Sequence, residues 1–379
     1  MRAFLLASAL ILVPVAASAD LAVSGNDGKQ VRAGDGLPMK PTPDSVSVIS
    51  FSSSAAPKVI GNVAACGTIL GPPLAVAVAP DYGFALTTCP QKVGVDGKNV
   101  ADSHVQVIGL DDPTKPKILQ TVEAGAGATA VAISHKGDIA LVTGVGDDSI
   151  TLFTVKDRTL TQASQVKLDA KAEPRAVFIA RDGKTAWALR FGDGKATRLA
   201  IKGGILSRVA DYDVGVQPDG GALTADGRIL IINDFGGVKD KTDKGATVML
   251  DTKTGKLIDV QEVGALPEHV AISPDGNYAA IVVGNGSATV RNAKNYDSVF
   301  GKLVIFAIAK GKLAHVSDTQ LGHACQGAVW TADGKRLLVQ CSVERDIRTY
   351  DFDGKTAVEK PELRLTFESR PGAIAVATK

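Results

Sequence analysis

The sequence predicts an all-β fold: a seven-bladed β-propeller with four antiparallel strands per blade, one blade being closed by strands from both termini. Three observations predict it. A tight-turn signature recurs six times at intervals of 44 to 58 residues, each interval holds four short strand-like runs, and the two chain ends carry complementary parts of a seventh repeat. Forty glycines in 379 residues, with 45% hydrophobic and 22% charged residues, describe a folded, turn-rich chain and not a disordered one. A single core seldom grows past roughly 300 residues. This length therefore implies two domains, or one repetitive domain with several small cores.

Met1-Arg2 is basic, Phe4 to Ala16 is an almost unbroken apolar run, and Ala17-Ser18-Ala19 before Asp20 is a small-x-small cleavage pattern. This is the pattern of a secretory signal peptide. A membrane anchor needs about 20 apolar residues, whereas this run is shorter and is broken by Pro14. No cysteine follows the cleavage point, which argues against a lipoprotein. The expected organisation is a signal peptide over 1–19 and a single propeller domain over 20–379, periplasmic or secreted after cleavage near Ala19. No membrane span is expected in the mature chain. Loss of Arg2 lowers the formal charge from +2 to +1 (41 basic minus 40 acidic residues). Such a balance offers no basic stripe for nucleic acid, and none is expected as a partner.

An oxidising compartment makes disulfides of the four cysteines, Cys66, Cys89, Cys325 and Cys341. Cys325 lies eight residues before Asp333 and Cys341 eight after it. A hairpin centred there opposes the two, at a Cα separation of about 4.5–5.5 Å that suits a disulfide. Cys66 and Cys89 pair by elimination. No Cys-x-x-Cys-His or zinc-finger spacing occurs.

Pro73-Leu74 leads through Val76-Ala77-Val78 to Pro80-Asp81-Tyr82, and Ala128-Thr129 through Val131-Ala132-Ile133 to Lys136-Gly137. Pro174-Arg175 leads to Asp182-Gly183, Val214-Gly215 to Asp226-Gly227, Val263-Gly264 to Asp275-Gly276, and Leu321-Gly322 to Asp333-Gly334. In the best-formed repeat the strand-like runs are Val270–Ser273, Tyr278–Val283, Leu303–Ala307 and Leu313–Ser317. Apolar runs bounded by Gly, Asp and Pro read as strands, and four of them per 40–50 residues is propeller arithmetic. Arg370 to Ala377 matches an innermost strand, after which the chain stops. Leu21–Val23, Ser45–Ile49 and Lys58–Ile60 supply the other three strands of that blade. It is blade one; the six turns at 82, 137, 183, 227, 276 and 334 mark blades two to seven.

Pro267–Gly276 and Tyr278–Asn285 resemble the YVTN-type propeller repeat, P-x-x-V-A-V-S-P-D-G followed by a strand ending in Y-V-T-N. Leu141–Gly144 and Leu86–Cys89 keep only part of that second strand. The resemblance runs over nearly the whole mature chain. It implies a seven-bladed propeller related to the phosphogluconolactonase-like and amine-dehydrogenase-like groups. It implies no single activity, because one fold hosts many sites.

In such a blade the loop leading in and the loop after the second strand share one face, and the Asp-Gly turns occupy the other. Loop length varies on the first face, where function is placed. The loops after Ile232 and Val283, in neighbouring blades five and six, are long. The first carries Asn233, Asp234, Lys239, Asp240, Lys241 and Asp243. The second carries Asn285, Arg291, Asn292, Asn295, Tyr296 and Asp297. Segments leading to the channel add Glu173, Arg175, Gln217, Asp219, Glu268, His269, His323, Gln326 and Arg370. The expected ligand-binding residues are Arg175, Asp219, Asn233, Asp234, Glu268, His269, Asn285, Arg291, Tyr296, His323, Gln326 and Arg370.

Gly125-Ala126-Gly127 lacks a strand-to-helix setting, Gly192-Asp193-Gly194-Lys195 lacks phosphate-loop spacing, and no Gly-x-Ser-x-Gly occurs. No cofactor is therefore expected. The leading expectation is a non-catalytic exported propeller that binds a small polar molecule or another periplasmic protein. Two alternatives stay open. One is a lactonase-type hydrolase, with Asp219 or Glu268 and His269 or His323 acting on water and Arg175 or Arg370 holding an oxyanion. The other is a propeller subunit of a periplasmic amine-dehydrogenase-like complex.

Overall fold

The structure is a computed structural model, and it describes residues 20–30, 41–237, 244–289 and 291–377. The expected leader, and Lys239, Asp240, Lys241 and Asp243, lie outside these residues. Seven sheets of antiparallel strands are arranged as a propeller. Their innermost strands, from blade two onward, are Val76–Val78, Ala128–Ile133, Pro174–Ile179, Pro218–Leu223, Pro267–Ile272 and Cys325–Trp330. Arg370–Val376 is innermost in blade one and pairs with Asp20–Asp27, which pairs in turn with Ser45–Phe51. Val23, opposite both Ala375 and Val48, is fully buried. Closure by both termini gives Asp20–Asp27 a strand on each side and completes blade one. Blade seven adds a short fifth strand, Leu365–Thr366, beside Asp346–Phe352. No helix among the described residues is long and apolar enough to cross a membrane.

Alternation along the strands divides the core. Each sheet buries side chains on both faces, so apolar residues form one cluster between each pair of adjacent blades, seven in all. The cluster between blades six and seven contains Leu303, Trp330, Val339 and Tyr350. This is how a chain of this length avoids one oversized core.

The turns after the innermost strands repeat one mechanism. In blade six the Ser273 hydroxyl donates to Asp275 at 2.5 Å and accepts from the Tyr278 N–H at 2.9 Å. Gly276 closes the turn at φ 73°. Glycine also holds this left-handed position at 137, 183, 227 and 334, because a Cβ there is sterically disfavoured. Blade two departs from the rule: Tyr82 takes the position at φ 57°.

On the opposite face, the loop after the second strand bonds back to the segment leading in. The Phe191 N–H donates to Glu173, Phe235 to Gln217 and Asn285 to Ala265, at 2.7–3.1 Å. The segment after Cys89 is a hairpin, since Phe84–Val93 and Asn99–Gly109 stay paired to the tip. Cys325 and Cys341 are directly opposed and bonded, with Cα atoms 3.8 Å apart. Cys66 and Cys89 form the other disulfide, at a Cα separation of 5.3 Å.

Residues 66–75, which join blade one to blade two, pass through the channel. Ile69 accepts from Gln326 of blade seven at 3.0 Å, and its N–H donates to Asp27 at 3.1 Å. Pro73 lies against Gly327 of blade seven, Gly71 against Thr129 of blade three, and Leu74 against the cluster between blades four and five. This strap crosses the channel from blade seven to blades three, four and five.

Candidate functional site

Six of the seven innermost strands carry a register shift near their start, where one or two residues face fewer on the partner strand. The residues skipped include Arg175, Asp219, Glu268 and Gln326. A bulge re-aims a side chain that regular pleating would direct into the sheet stack. Here it brings polar groups to the channel mouth on the loop-bearing face.

Arg175 and Asp219 join blades four and five. The Arg175 Nη1 donates to Asp219 Oδ1 at 3.1 Å, and its Nη2 stands 3.8 Å from Glu173. The guanidinium lies 3.3 Å from the centroid of the Phe191 ring, a cation–π contact that fixes its plane. Phe191 packs edge-on against Phe235 at 5.8 Å. Each phenylalanine follows the second strand of its blade by one residue, so aligning the repeats would have placed both at the mouth. Sequence reasoning, drawn to charged residues, passed over them.

Asp219 is fully buried, and its second oxygen, Oδ2, has no hydrogen-bond partner. Burial pushes its carboxyl up to about 6, against the lowering effect of Arg175. Glu268 stands close by: its own burial and the Asp219 charge push it well above the usual carboxylate range, and Arg175 only partly offsets them. The Gln326 Nε2 is held by Ile69 of the strap, while the buried Oε1 has no partner. Asp219 Oδ2 and Gln326 Oε1 are thus left as buried acceptors without a donor.

Other expected residues are placed differently. His269 is buried, and its Nδ1 accepts the Ala328 N–H of blade seven at 3.0 Å. Burial lowers its pKa to about 4, so the ring is neutral and one nitrogen is spent on holding two blades together. His323 is also buried, with Nδ1 on Glu344 at 2.6 Å and Nε2 on the Tyr296 carbonyl at 2.8 Å. It stacks on the Tyr296 ring at 3.8 Å, which pins the blade-six loop to blade seven. Arg370 donates to the carbonyls of Gln30 and Ser342, at 3.0 and 3.1 Å.

Asn233 accepts from Thr247 inside blade five at 2.8 Å. Asp234 accepts the Val216 and Gln217 N–H groups at 2.7 and 3.0 Å, and burial raises its carboxyl to about 6. Asn285 is exposed at φ 51° and donates to the Phe300 carbonyl at 2.9 Å; Arg291 is exposed. The structure therefore brings Arg175, Asp219 and Glu268 together, and sets Gln326 at the corresponding bulge of blade seven, against the strap. It uses Asn233, Asp234, His269, His323 and Arg370 in contacts that hold blades and loops. Among the described residues, Cys341, Glu344 and Asp346 come within ligand distance of one another. The sulfur is in a disulfide and offers no thiolate to a metal.

No protein-family model matches the sequence, and no curated protein matches it. Solved structures do. A protein of Bacteroides uniformis provisionally named a 6-phosphogluconolactonase aligns at 15% identity and TM-score 0.72, over 95% of this chain and 100% of its own. The periplasmic gluconolactonase of Pseudomonas aeruginosa aligns at 15% identity and TM-score 0.71, over 95% of this chain and 99% of its own. A hydrazine synthase chain of Kuenenia stuttgartiensis aligns at 16% identity and TM-score 0.59, over 77% of this chain and 79% of its own. These likenesses establish the fold. Proteins of differing names share it, so any activity has to be argued from the residues at the mouth.

Proposed function

We propose that this chain is an exported propeller that binds a small, hydrogen-bond-donating polar molecule at its loop-bearing channel mouth, through Arg175, Asp219, Glu268 and Gln326. One observation carries the reading: Asp219 Oδ2 and Gln326 Oε1 are buried with no partner. An unsatisfied buried acceptor costs about 1–3 kcal/mol, and a ligand bearing hydroxyl or ammonium donors removes that cost. The two disulfides and the expected leader support export. The test is a thermal-shift series with polyols, aldonates and small amines, since a ligand of the native state alone raises the melting temperature. Glu268→Gln and Asp219→Asn should abolish the shift. If every ligand leaves the melting temperature unmoved, or the variants keep the shift, the reading is wrong.

The raised carboxyls also favour a second reading, hydrolysis of a lactone. Asp219 would take a proton from water as the water oxygen attacks the lactone carbonyl carbon. Arg175 would hold the resulting oxyanion. As the ring C–O bond breaks, protonated Glu268 would hand its proton to the leaving oxygen, giving the hydroxy acid. Proton return from Asp219 to Glu268 through solvent would restore the site. Two neighbouring acids with raised proton affinities suit these roles. Glucono-δ-lactone opening, followed by acid release against the uncatalysed rate, separates binding from catalysis. A ligand-induced shift without acceleration leaves the binding reading alone.

A further inference from the structure

The channel has a second mouth, on the face of the Asp-Gly turns. It opens into a cavity of about 320 Å³. Its walls are largely the far ends of innermost strands: Leu223 of blade five, Ile272 of blade six, Trp330 of blade seven and Val376 of blade one. Tyr82 of blade two and Asp20 complete the rim. The Trp330 indole N–H is already spent on the Ala271 carbonyl at 3.0 Å, and Asp20 Oδ2 accepts the Ala332 N–H at 2.7 Å. The walls therefore offer a ligand apolar surface and aromatic faces more than hydrogen bonds. The strap at 66–75 touches Thr129, Gln326 and Gly327 near the starts of innermost strands, whereas this cavity lies at their far ends.

Tyr82 carries the second observation. Five of the six turns on this face put glycine at the left-handed position, and blade two puts tyrosine there at φ 57°. Backbone strain kept at a cavity rim is a recognised mark of function. The hydroxyl of Tyr82 accepts from the Leu21 backbone, and its ring closes the cavity on the blade-two side.

We propose that this cavity is a binding site for a small, uncharged aromatic molecule, distinct from the polar site at the other mouth. Pockets of about 300–1,000 Å³ lined mainly by apolar and aromatic groups are the usual form of such sites. At interior packing density this one holds roughly ten to fifteen non-hydrogen atoms.

The test uses 4-nitrobenzyl alcohol, which is aromatic and uncharged, with binding to the full chain read by equilibrium dialysis. One saturable site is expected. Ala225→Phe and Ala332→Phe, at exposed rim positions, should each weaken binding by about tenfold or more, while Glu268→Gln should leave it within about twofold. Tyr82→Gly, which gives blade two the residue of the other turns, should weaken binding by a similar factor and leave the fold intact by thermal melting. The proposal is overturned by an absence of saturable binding. It is equally overturned if the rim variants or Tyr82→Gly hold the probe as tightly as the wild type, or if Glu268→Gln weakens it as much as Ala225→Phe.

Discussion

Arg175 of blade four holds Asp219 of blade five by one carboxylate oxygen, at 3.1 Å, and leaves the other oxygen buried with no partner. The guanidinium is itself seated on Phe191, 3.3 Å from the ring centroid. The pair is therefore half of a hydrogen-bonding arrangement, and its acidity follows from that. Burial raises Asp219 to about 6 from an ordinary 3.8. Between those values the folded chain binds a proton that the unfolded chain has lost. Asp219 thus favours the folded state most at low pH, and its contribution falls as pH rises through about 6. Asp219→Asn should remove this component: the stability of the wild type relative to the variant, measured by urea unfolding, should fall between pH 4 and pH 6.5. A flat difference would show that Asp219 does not titrate there.

His269 works in the opposite direction. Its pKa is lowered to about 4 from 6.5, so the folded chain resists a proton that the unfolded chain accepts. Stability from this group is fully present above pH 6.5 and is lost as pH falls toward 4. His269→Phe should flatten that acid limb. At pH 7 it should cost about 1–3 kcal/mol, because the Ala328 N–H loses its acceptor. His269→Gln, which offers an oxygen in a similar place, should recover part of the cost.

Closure of the ring gives a sharper outcome. Deleting residues 372–379 removes most of the innermost strand of blade one and leaves Asp20–Asp27 unpaired on its channel side. The truncated chain should aggregate or fail to fold, since an exposed strand edge templates further pairing. A monomeric truncated chain with unchanged melting, by size exclusion and calorimetry, would refute this account of closure.

The disulfide at Cys66 anchors the strap. Cys66→Ser with Cys89→Ser should lower stability by about 2–4 kcal/mol. It should also speed hydrogen exchange at the Ile69 and Leu70 amides more than at blade-six amides. Cys325→Ser with Cys341→Ser should cost a similar amount without loosening the strap, because that bridge lies within one hairpin.

Most of the ring was legible in the sequence because its causes are local and repeated. The Ser-Pro-Asp-Gly turn at 273–276 states its own geometry, and Arg370 to Ala377 resembles an innermost strand closely enough to show where the chain closes. The register about Asp333 was equally readable, and with it the Cys325–Cys341 pair. Little of the site's geometry could be read in this way. Asn233, Asp234 and His269 have the composition of a site, but their partners, Thr247, Val216 and Ala328, are fixed by blade packing and by a bulge that shifts register by one residue. The strap was hidden for a related reason: Gly67 to Leu74 reads as a linker, and only the closed ring carries it across the channel.

Val23 faces Ala375, a partner 352 positions later in the chain (375 minus 23). A chain made from its N-terminus therefore completes six blades before the first can gain its last strand. The energetic penalty of so distant a pairing is modest, because each doubling of a closed loop adds only about 0.6 kcal/mol. The delay is one of timing. Until synthesis ends, Asp20–Asp27 has no channel-side neighbour, and the molecule is an open arc rather than a circle. A chain held unfolded until its last residue has been made would never populate that arc, whereas one that folded as it emerged would display it throughout its own translation.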